Sequence, residues 1–243
     1  MTPVRKILLF IIFTLSLILL IRIGYLFTHQ IACEGQPFND NLSPTTSQQI
    51  LGERLIGQSF TSPRDDLNRI DIFFQTYGRQ NTSDVYLRLL EIPPDNGNLL
   101  QGNEVFSTVF DAATLQDRSW STFAFSPISG SVGKTYLLTL QSPASKDGNA
   151  ITVGGIQQNV YMPGFAIAYA PDLGFSDLTP INGDIMFRAC YEMTTFEKLK
   201  ILAEQITQNR PYLWGNANFY VLSFGVYTLL VVGLFWKLIK LPW

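Results

Sequence analysis

Residues 67–76, LNRIDIFFQT, form a strand-like run in which Ile70, Ile72 and Phe74 share one face. Turn signals rich in Gly, Asn, Asp and Pro separate strand-like runs along the middle of the chain. They lie at 93–97, 129–130, 146–149 and 181–184. Runs of the same kind as 67–76 occur at 55–60, 85–89, 105–110, 123–125, 136–140, 151–153, 165–169 and 185–191. Period-two alternation at this spacing predicts an all-β domain built as an antiparallel β-sandwich.

Two apolar blocks flank this domain. Residues 7–27 form a 21-residue block, which as a helix reaches about 31 Å and matches a hydrocarbon core of about 30 Å. Residues 217–236 form a second block, with aromatic side chains suited to membrane interfaces. We therefore predict a transmembrane helix at each end. A cleaved signal peptide or a lipoprotein signal ending at Cys33 are alternatives for the first block, but its length favours an uncleaved anchor.

The cations at the chain ends predict the orientation. Arg5 and Lys6 precede the first block, and Lys237 and Lys240 follow the second. The positive-inside rule places both termini in the cytoplasm and residues 28–216 outside. Arg22 lies about one helical turn from the outer interface, where a long side chain can snorkel.

The outer segment is acidic. It holds all 19 Asp and Glu residues, whereas five of the 17 Lys and Arg residues lie outside it. This balance argues against nucleic acid as a partner and against charge-driven docking onto anionic lipid headgroups. Its simplest effect is to keep the domain soluble.

Cys33 and Cys190 are the only cysteines, and both fall in the outer segment, almost at its two ends. An oxidising compartment permits a disulfide between them. The first and last strands of a sandwich are often neighbours, which favours the bridge. Two unrelated free thiols are the alternative.

A short helix is predicted between the sandwich and the second block. Thr194 and Glu197 have the spacing of a capping box, and Phe196, Leu199, Ala203 and Ile206 lie on one helical stripe. Pro211 ends the pattern. This helix either lies on the headgroups or packs under the sandwich.

Several strand motifs resemble a known type of module. They are 56–60, 67–71, 76–81, 120–128, 133–136, 183–188 and 210–216. Together they are similar to an uncharacterised bacterial jelly-roll, galactose-binding-like ectodomain of the kind attached to multi-span membrane glycosyltransferases of cell-surface polysaccharide synthesis. The resemblance covers about residues 55–220 and carries no catalytic signature. The multi-span catalytic part is missing from this chain, so glycosyltransferase activity is not implied.

The sequence offers little for catalysis. The single histidine, His29, lies beside the first apolar block, which disfavours a histidine-based triad or a zinc site. Gly154-Gly155 is more typical of a turn than of a phosphate-binding loop. Asp65, Asp66 and Asp71 are candidates for paired-carboxylate chemistry, and Asp65, Asp66 and Asp184 for calcium, but solvated turns explain them equally well. We expect no enzyme, cofactor or metal.

A ligand site is predicted on the loop that carries Tyr77, Arg79, Gln80 and Asn81. Sugar recognition uses an aromatic face for C–H patches and planar polar groups for hydroxyls. Tyr161 and Tyr169 add further aromatic rings, whereas Trp120 is expected in the core rather than on a binding platform. The alternative is that Tyr77-Gly78-Arg79 only closes a strand.

The predicted organisation therefore has six parts: a cytoplasmic tail (1–6), a transmembrane helix (7–27), an extracytoplasmic sandwich (28–193), a juxtamembrane helix and linker (194–216), a second transmembrane helix (217–236) and a cytoplasmic tail (237–243). The predicted location is the plasma or inner membrane. The expected function is recognition of cell-envelope glycan or assistance to surface polysaccharide synthesis. The alternative is a non-catalytic scaffold or accessory subunit of a membrane protein complex.

Overall fold

The computed structural model describes residues 3–30, 32–35, 45–46, 49–94, 99–157, 161, 163–207, 210 and 212–239. The chain divides into two compact units. One unit, Cys33–Glu192, contains the strands, and the other joins the two ends, Met1–Ala32 and Met193–Trp243. The predicted tail residues 1–2 and 240–243, and the turn residues 95–97, lie outside the described residues.

The strand unit contains two antiparallel sheets, as expected for an all-β sandwich. The seven-stranded sheet consists of β1 (Cys33–Gly35), β2 (Thr45–Thr46), β4 (Leu67–Gln75), β7 (Ser119–Ile128), β9 (Thr152–Ile156), β12 (Asp184–Ile185) and β13 (Phe187–Tyr191). The six-stranded sheet consists of β3 (Leu55–Thr61), β5 (Asp84–Ile92), β6 (Asn103–Asp111), β8 (Thr135–Gln141), β10 (Ala166–Ala170) and β11 (Phe175–Pro180).

Each sheet pairs strands that are distant in the sequence. In the larger sheet, β4 lies between β13 and β7, and β1 pairs with β13 at the edge. In the smaller sheet the order is β11-β10-β3-β8-β5-β6. The consecutive strands β3 and β4 belong to different sheets, so the chain crosses from one layer to the other between them.

The run 67–76 acts as the sequence pattern predicts. Ile70, Ile72 and Phe74 are fully buried in the core between the sheets. Phe60 from the smaller sheet packs against Phe187, with ring centroids 5.3 Å apart. Burying such side chains contributes about 1.5–3 kcal/mol each, so this layer stabilises the domain.

A row of phenylalanines closes one side of the strand unit, where the edge strands β6 and β7 lie. Phe106 stacks on Phe125 with centroids 4.6 Å apart, and Phe110 lies 4.9 Å from Phe123. These strands carry their apolar side chains at alternate positions, so one face of each edge is covered by the other sheet.

Three strands were not anticipated: β1, β2 and β11. The first two contain three and two residues, too few to show alternation. Gly154 and Gly155, expected in a turn, lie within β9. A Cβ atom on Gly154 would be 2.7 Å from the Phe73 ring and 2.9 Å from the Met186 sulfur. Close packing therefore explains this glycine, and the turn interpretation is wrong.

The terminal unit contains three helices, α1 (Pro3–Gln30), α2 (Thr195–Thr207) and α3 (Ala217–Ile239). Within the described part of the chain, one helical segment, Ala217–Leu234, is long and apolar enough to cross a membrane. The first helix contains a shorter apolar stretch, Phe10–Arg22.

The predicted capping box begins α2. The Glu197 carboxylate accepts hydrogen bonds from the Thr194 backbone N–H at 2.8 Å and hydroxyl at 2.7 Å, while the Glu197 N–H donates back to the hydroxyl. These bonds lower the pKa of Glu197. Pro211, the predicted helix stop, lies outside the described residues.

The three helices enclose an apolar groove of about 280 Å³. Leu199, Ala203 and Ile206 of the predicted stripe line it, whereas Phe196 is exposed. Leu19 and Leu20 line it from α1, and Tyr220, Val221, Phe224 and Tyr227 from α3.

Candidate ligand-binding site

The loop from Thr76 to Asn81 is braced by Asp117. Its carboxylate accepts a hydrogen bond from the Thr76 backbone N–H at 2.6 Å and from the Thr76 hydroxyl at 3.2 Å. Bonds from the backbone N–H groups of Thr76, Gly78 and Tyr77 lower the pKa of Asp117. Tyr77 and Gly78 both have left-handed backbone angles, with φ of 60° and 65°. Such a conformation is costly for tyrosine, so the Asp117 bonds hold a strained turn.

The side chains of this loop are largely used within the domain. The Arg79 guanidinium lies 4.8 Å from the centre of the Tyr77 ring and donates a hydrogen bond to the Ala150 carbonyl at 2.9 Å. Asn81 is buried, with 1% of its surface exposed. Of the four residues, Tyr77 and Gln80 are exposed and Arg79 is half-buried. Ligand binding at this loop stays a prediction, and Asn81 has no surface to offer it.

The two additional tyrosines lie elsewhere. Tyr161 packs edge-on against Phe187, and burial is the main reason that its pKa rises to about 12. Tyr169 packs against an apolar cluster that includes Leu55 and Ile167. Neither interaction places a tyrosine beside the exposed side of Tyr77.

A second aromatic–guanidinium pair lies on the face of the larger sheet that points away from the core. The register pairs Asp71 of β4 with Arg188 of β13 on one side and with Thr122 of β7 on the other. It also pairs Phe73 with Trp120. Because opposed residues in an antiparallel pair share a face, these five side chains lie together. We call them the sheet-face cluster.

The Asp71 carboxylate bonds to Arg69, its neighbour on β4, and to Thr122 of the cluster. The carboxylate lies 3.1 Å from the Arg69 Nε and 3.3 Å from the Arg69 Nη2. The Thr122 hydroxyl donates to it at 2.9 Å. Asp71 is 5% exposed, and a buried carboxylate needs such partners to remain charged.

Arg188 differs from Asp71 in its contacts. The guanidinium carbon lies 4.0 Å from the centre of the Trp120 ring. Among the residues that the structure describes, none accepts a hydrogen bond from the Arg188 side chain. Burial lowers the pKa of Arg188, the Asp71 charge opposes that effect and the Arg69 charge adds to it. Arg188 and Trp120 both remain partly exposed.

An apolar patch supports the indole. Trp120 packs edge-on against Phe73 with centroids 5.6 Å apart, and both lie beside Met186 and Ile156. Trp120, expected in the core, therefore belongs to the outer face of the sheet. This packing fixes the ring that Arg188 covers.

A disulfide joins Cys33 and Cys190, the pair named from the sequence. The two residues are directly opposed in the β1–β13 ladder. The Arg69 Nη2 lies 3.0 Å and 3.1 Å from the two sulfurs. The bridge therefore anchors the edge of the sheet next to the sheet-face cluster.

The described residues contain one group with metal-ligand spacing, Cys33, Asp71 and Cys190. It does not fit a metal, because both sulfurs are consumed in the disulfide. The carboxylates considered for calcium are separately engaged. Asp65 accepts a bond from the Ser131 N–H at 2.7 Å. Asp184 is buried and accepts bonds from the Gln58 amide and the Tyr161 N–H.

The sequence does contain a signal for Arg188. Met186, Arg188 and Cys190 alternate with Phe187 and Ala189, so the two sets lie on opposite faces of the strand. An arginine at that register belongs on the outer face, but its neighbours come from strands far away in the sequence.

Comparison with known proteins adds no family to this picture. No protein-family model matches the chain, and no curated protein is significantly similar to it.

Proposed function

We propose that this protein is a membrane-anchored recognition module that binds cell-envelope glycan without transforming it. The observation that carries the proposal is the Arg188 guanidinium, which covers the Trp120 indole and donates no hydrogen bond to any residue that the structure describes. An aromatic platform next to planar donors is the chemistry that sugar rings require, since they present both C–H faces and hydroxyls.

Recognition without catalysis is supported by the direction of the pKa shifts of the acidic side chains. Among the described residues, five acidic side chains have a shifted pKa, and in each of them hydrogen bonds lower it: Asp65, Glu104, Asp117, Asp172 and Glu197. A general acid that works near neutral pH needs the opposite shift. These groups act as charged acceptors that hold loops and strands in place.

Membrane anchoring at both ends belongs to the same proposal. The apolar segment Ala217–Leu234 supports the second anchor. Ile7, Phe10, Leu15, Leu19 and Ile21 of α1 present exposed apolar side chains, which supports the first. The cations at both chain ends favour cytoplasmic termini, and the disulfide suits the extracytoplasmic side. Labelling of single cysteines added at residues 2 and 242 tests this topology, because an impermeant reagent should reach neither from outside.

The finer fold assignment is a jelly roll of galactose-binding-like type. It is supported by the placement of β3 and β4 in different sheets and by the pairing of β3 with β8 and β10, which come later in the chain. Connections that cross between two layers are typical of jelly rolls.

The test of glycan recognition uses the full-length protein in lipid nanodiscs and a panel of bacterial envelope polysaccharides. Trp120→Leu should abolish retention, because leucine keeps apolar contact with Phe73 but removes the flat ring. Tyr77→Leu is the matched control and should bind like the wild type. Loss of binding in Tyr77→Leu alone would move the site to the loop, and absence of binding in the wild type would end the proposal.

A second candidate function is that of an accessory subunit of a membrane protein complex. It is favoured by the groove among the three helices, which is lined almost entirely by apolar side chains. The Tyr220 hydroxyl is buried at this groove and has no hydrogen-bond partner in the described part of the chain. A photo-crosslinker at Leu202 should capture a partner protein if this function holds, whereas one at Leu230, which is exposed on α3, serves as the control.

A further inference from the structure

We propose that the ligand held by Arg188 and Trp120 is a saccharide bearing an oxyanion, a carboxylate or a phosphate ester, which the guanidinium binds through paired hydrogen bonds. This inference rests on the proposed glycan recognition and names the chemical class that the site selects.

The first argument is that the nearest carboxylate bonds to other partners. Asp71 lies opposite Arg188 in the ladder and is the acceptor that an arginine at this position would ordinarily take. Arg69 and Thr122 already occupy both of its oxygens. Within the described part of the chain no group accepts a hydrogen bond from Arg188, so its planar fork of donors matches a carboxylate or phosphate presented from outside.

The second argument is local charge. The Arg69 and Asp71 charges neutralise each other as an ion pair. Arg188 lies near both of them, and their opposite charges act on it in opposite directions, so the face keeps one net positive charge among these three residues. An anionic group would offset the cost of holding this cation partly out of water, whereas a neutral hydroxyl would do so only weakly.

The third argument concerns the rest of the ligand. An inorganic anion would use Arg188 alone. The site also offers the part-exposed indole of Trp120 and, across β4, the exposed residue Thr122. The part of the indole that Arg188 leaves uncovered, and a hydroxyl beside a cation, suit a sugar that carries its charge on a substituent.

The experiment measures binding to the full-length protein in nanodiscs of zwitterionic lipid. The probes are trigalacturonate, its methyl ester, glucose 6-phosphate and inorganic phosphate. The wild type should bind trigalacturonate about tenfold or more tightly than the neutral ester, because the ester loses the charge but keeps the ring faces. Glucose 6-phosphate should bind more tightly than inorganic phosphate, and its strength relative to trigalacturonate tells which oxyanion the site prefers.

Two variants locate the preference. Arg188→Gln should bind acid and ester equally, while Arg88→Gln, the same change at an arginine that pairs with Glu104 on the smaller sheet, should keep the wild-type preference. Arg188→Lys retains the charge without the fork and should show a reduced preference. If Arg188→Gln fails to fold, an undiminished preference in Arg188→Lys overturns the proposal.

The outcomes separate the two claims. Equal wild-type affinity for the acid and the ester would contradict the claim that the ligand bears an oxyanion, but not glycan recognition. Equal affinity for glucose 6-phosphate and inorganic phosphate would contradict the claim that the ligand is a saccharide. An unchanged preference in Arg188→Gln would contradict the site. Failure of the wild type to bind any of these probes, or any envelope polysaccharide, would remove the proposed function as well.

Discussion

Two arginine–aromatic pairs in one domain have different surroundings. Arg79 lies 4.8 Å from the Tyr77 ring, and Arg188 lies 4.0 Å from the Trp120 ring. Arg79 also donates to the carbonyl of buried Ala150, whereas none of the described residues accepts from Arg188. The same residue chemistry can therefore brace a loop or present donors to a ligand. The hydrogen bond, rather than the stacking, separates the two roles.

The largest expected effect comes from removing the disulfide that flanks the sheet-face cluster. Cys33 and Cys190 are separated by 157 residues, and replacing both with serine should destabilise the strand unit by about 5 kcal/mol in the chain-entropy account. Thermal unfolding of the full-length protein in detergent, followed by near-ultraviolet circular dichroism, measures the change. The Tyr77 loop is braced independently by Asp117, so hydrogen exchange at Gly78 in the folded state should be unaltered. Faster exchange at Gly78 would show that the two regions are coupled.

The same substitution at the two arginines sharpens the comparison. Arg79→Gln removes a hydrogen bond to a buried carbonyl and should destabilise the domain by about 1–3 kcal/mol. Arg188→Gln loses only the stacking contact, about 0.5–1 kcal/mol. Chemical denaturation of both variants beside the wild type measures the difference. Equal losses would mean that Arg188 is a structural residue.

Acid should loosen the Tyr77 loop by a smaller amount. The pKa of Asp117 is lowered in the folded state, so folding favours its charged form. Its stabilising contribution is present above the unfolded pKa of about 3.9 and is lost as pH falls through the folded value. Amide exchange at Tyr77 and Gly78 should therefore gain extra acceleration below about pH 4. Asp117→Asn is the control, and it should show no such acid step. A wild type without the step would show that Asp117 does not hold the turn.

The strand unit was largely predictable because its signals are local. The alternation in 67–76 reports which side chains enter the core, and the structure buries Ile70, Ile72 and Phe74 as that pattern requires. The capping box at Thr194 and Glu197 was readable for the same reason, since its bonds span three residues. The strands β1 and β2 were missed because they are too short to carry a period.

The sheet-face cluster was not predictable, because it depends on which strands become neighbours. Arg188, Asp71 and Trp120 come from three strands, β13, β4 and β7, that adjoin only through the sheet order. Local sequence instead favoured Tyr77, Arg79, Gln80 and Asn81, which are adjacent in the chain. Adjacency did not reveal that Asn81 is buried or that Arg79 is bonded to Ala150, 71 residues away.

The availability of Arg188 for a ligand is measured most directly by its reaction with phenylglyoxal, read by peptide mass spectrometry on the full-length protein in nanodiscs. Arg188 should react faster than Arg79, because no described residue accepts from its donors and burial lowers its pKa. Trigalacturonate should slow the reaction at Arg188 and leave that at Arg79 unchanged. Faster modification of Arg79, or a rate at Arg188 that no acidic saccharide alters, would contradict the assignment of the binding site to Arg188 and Trp120.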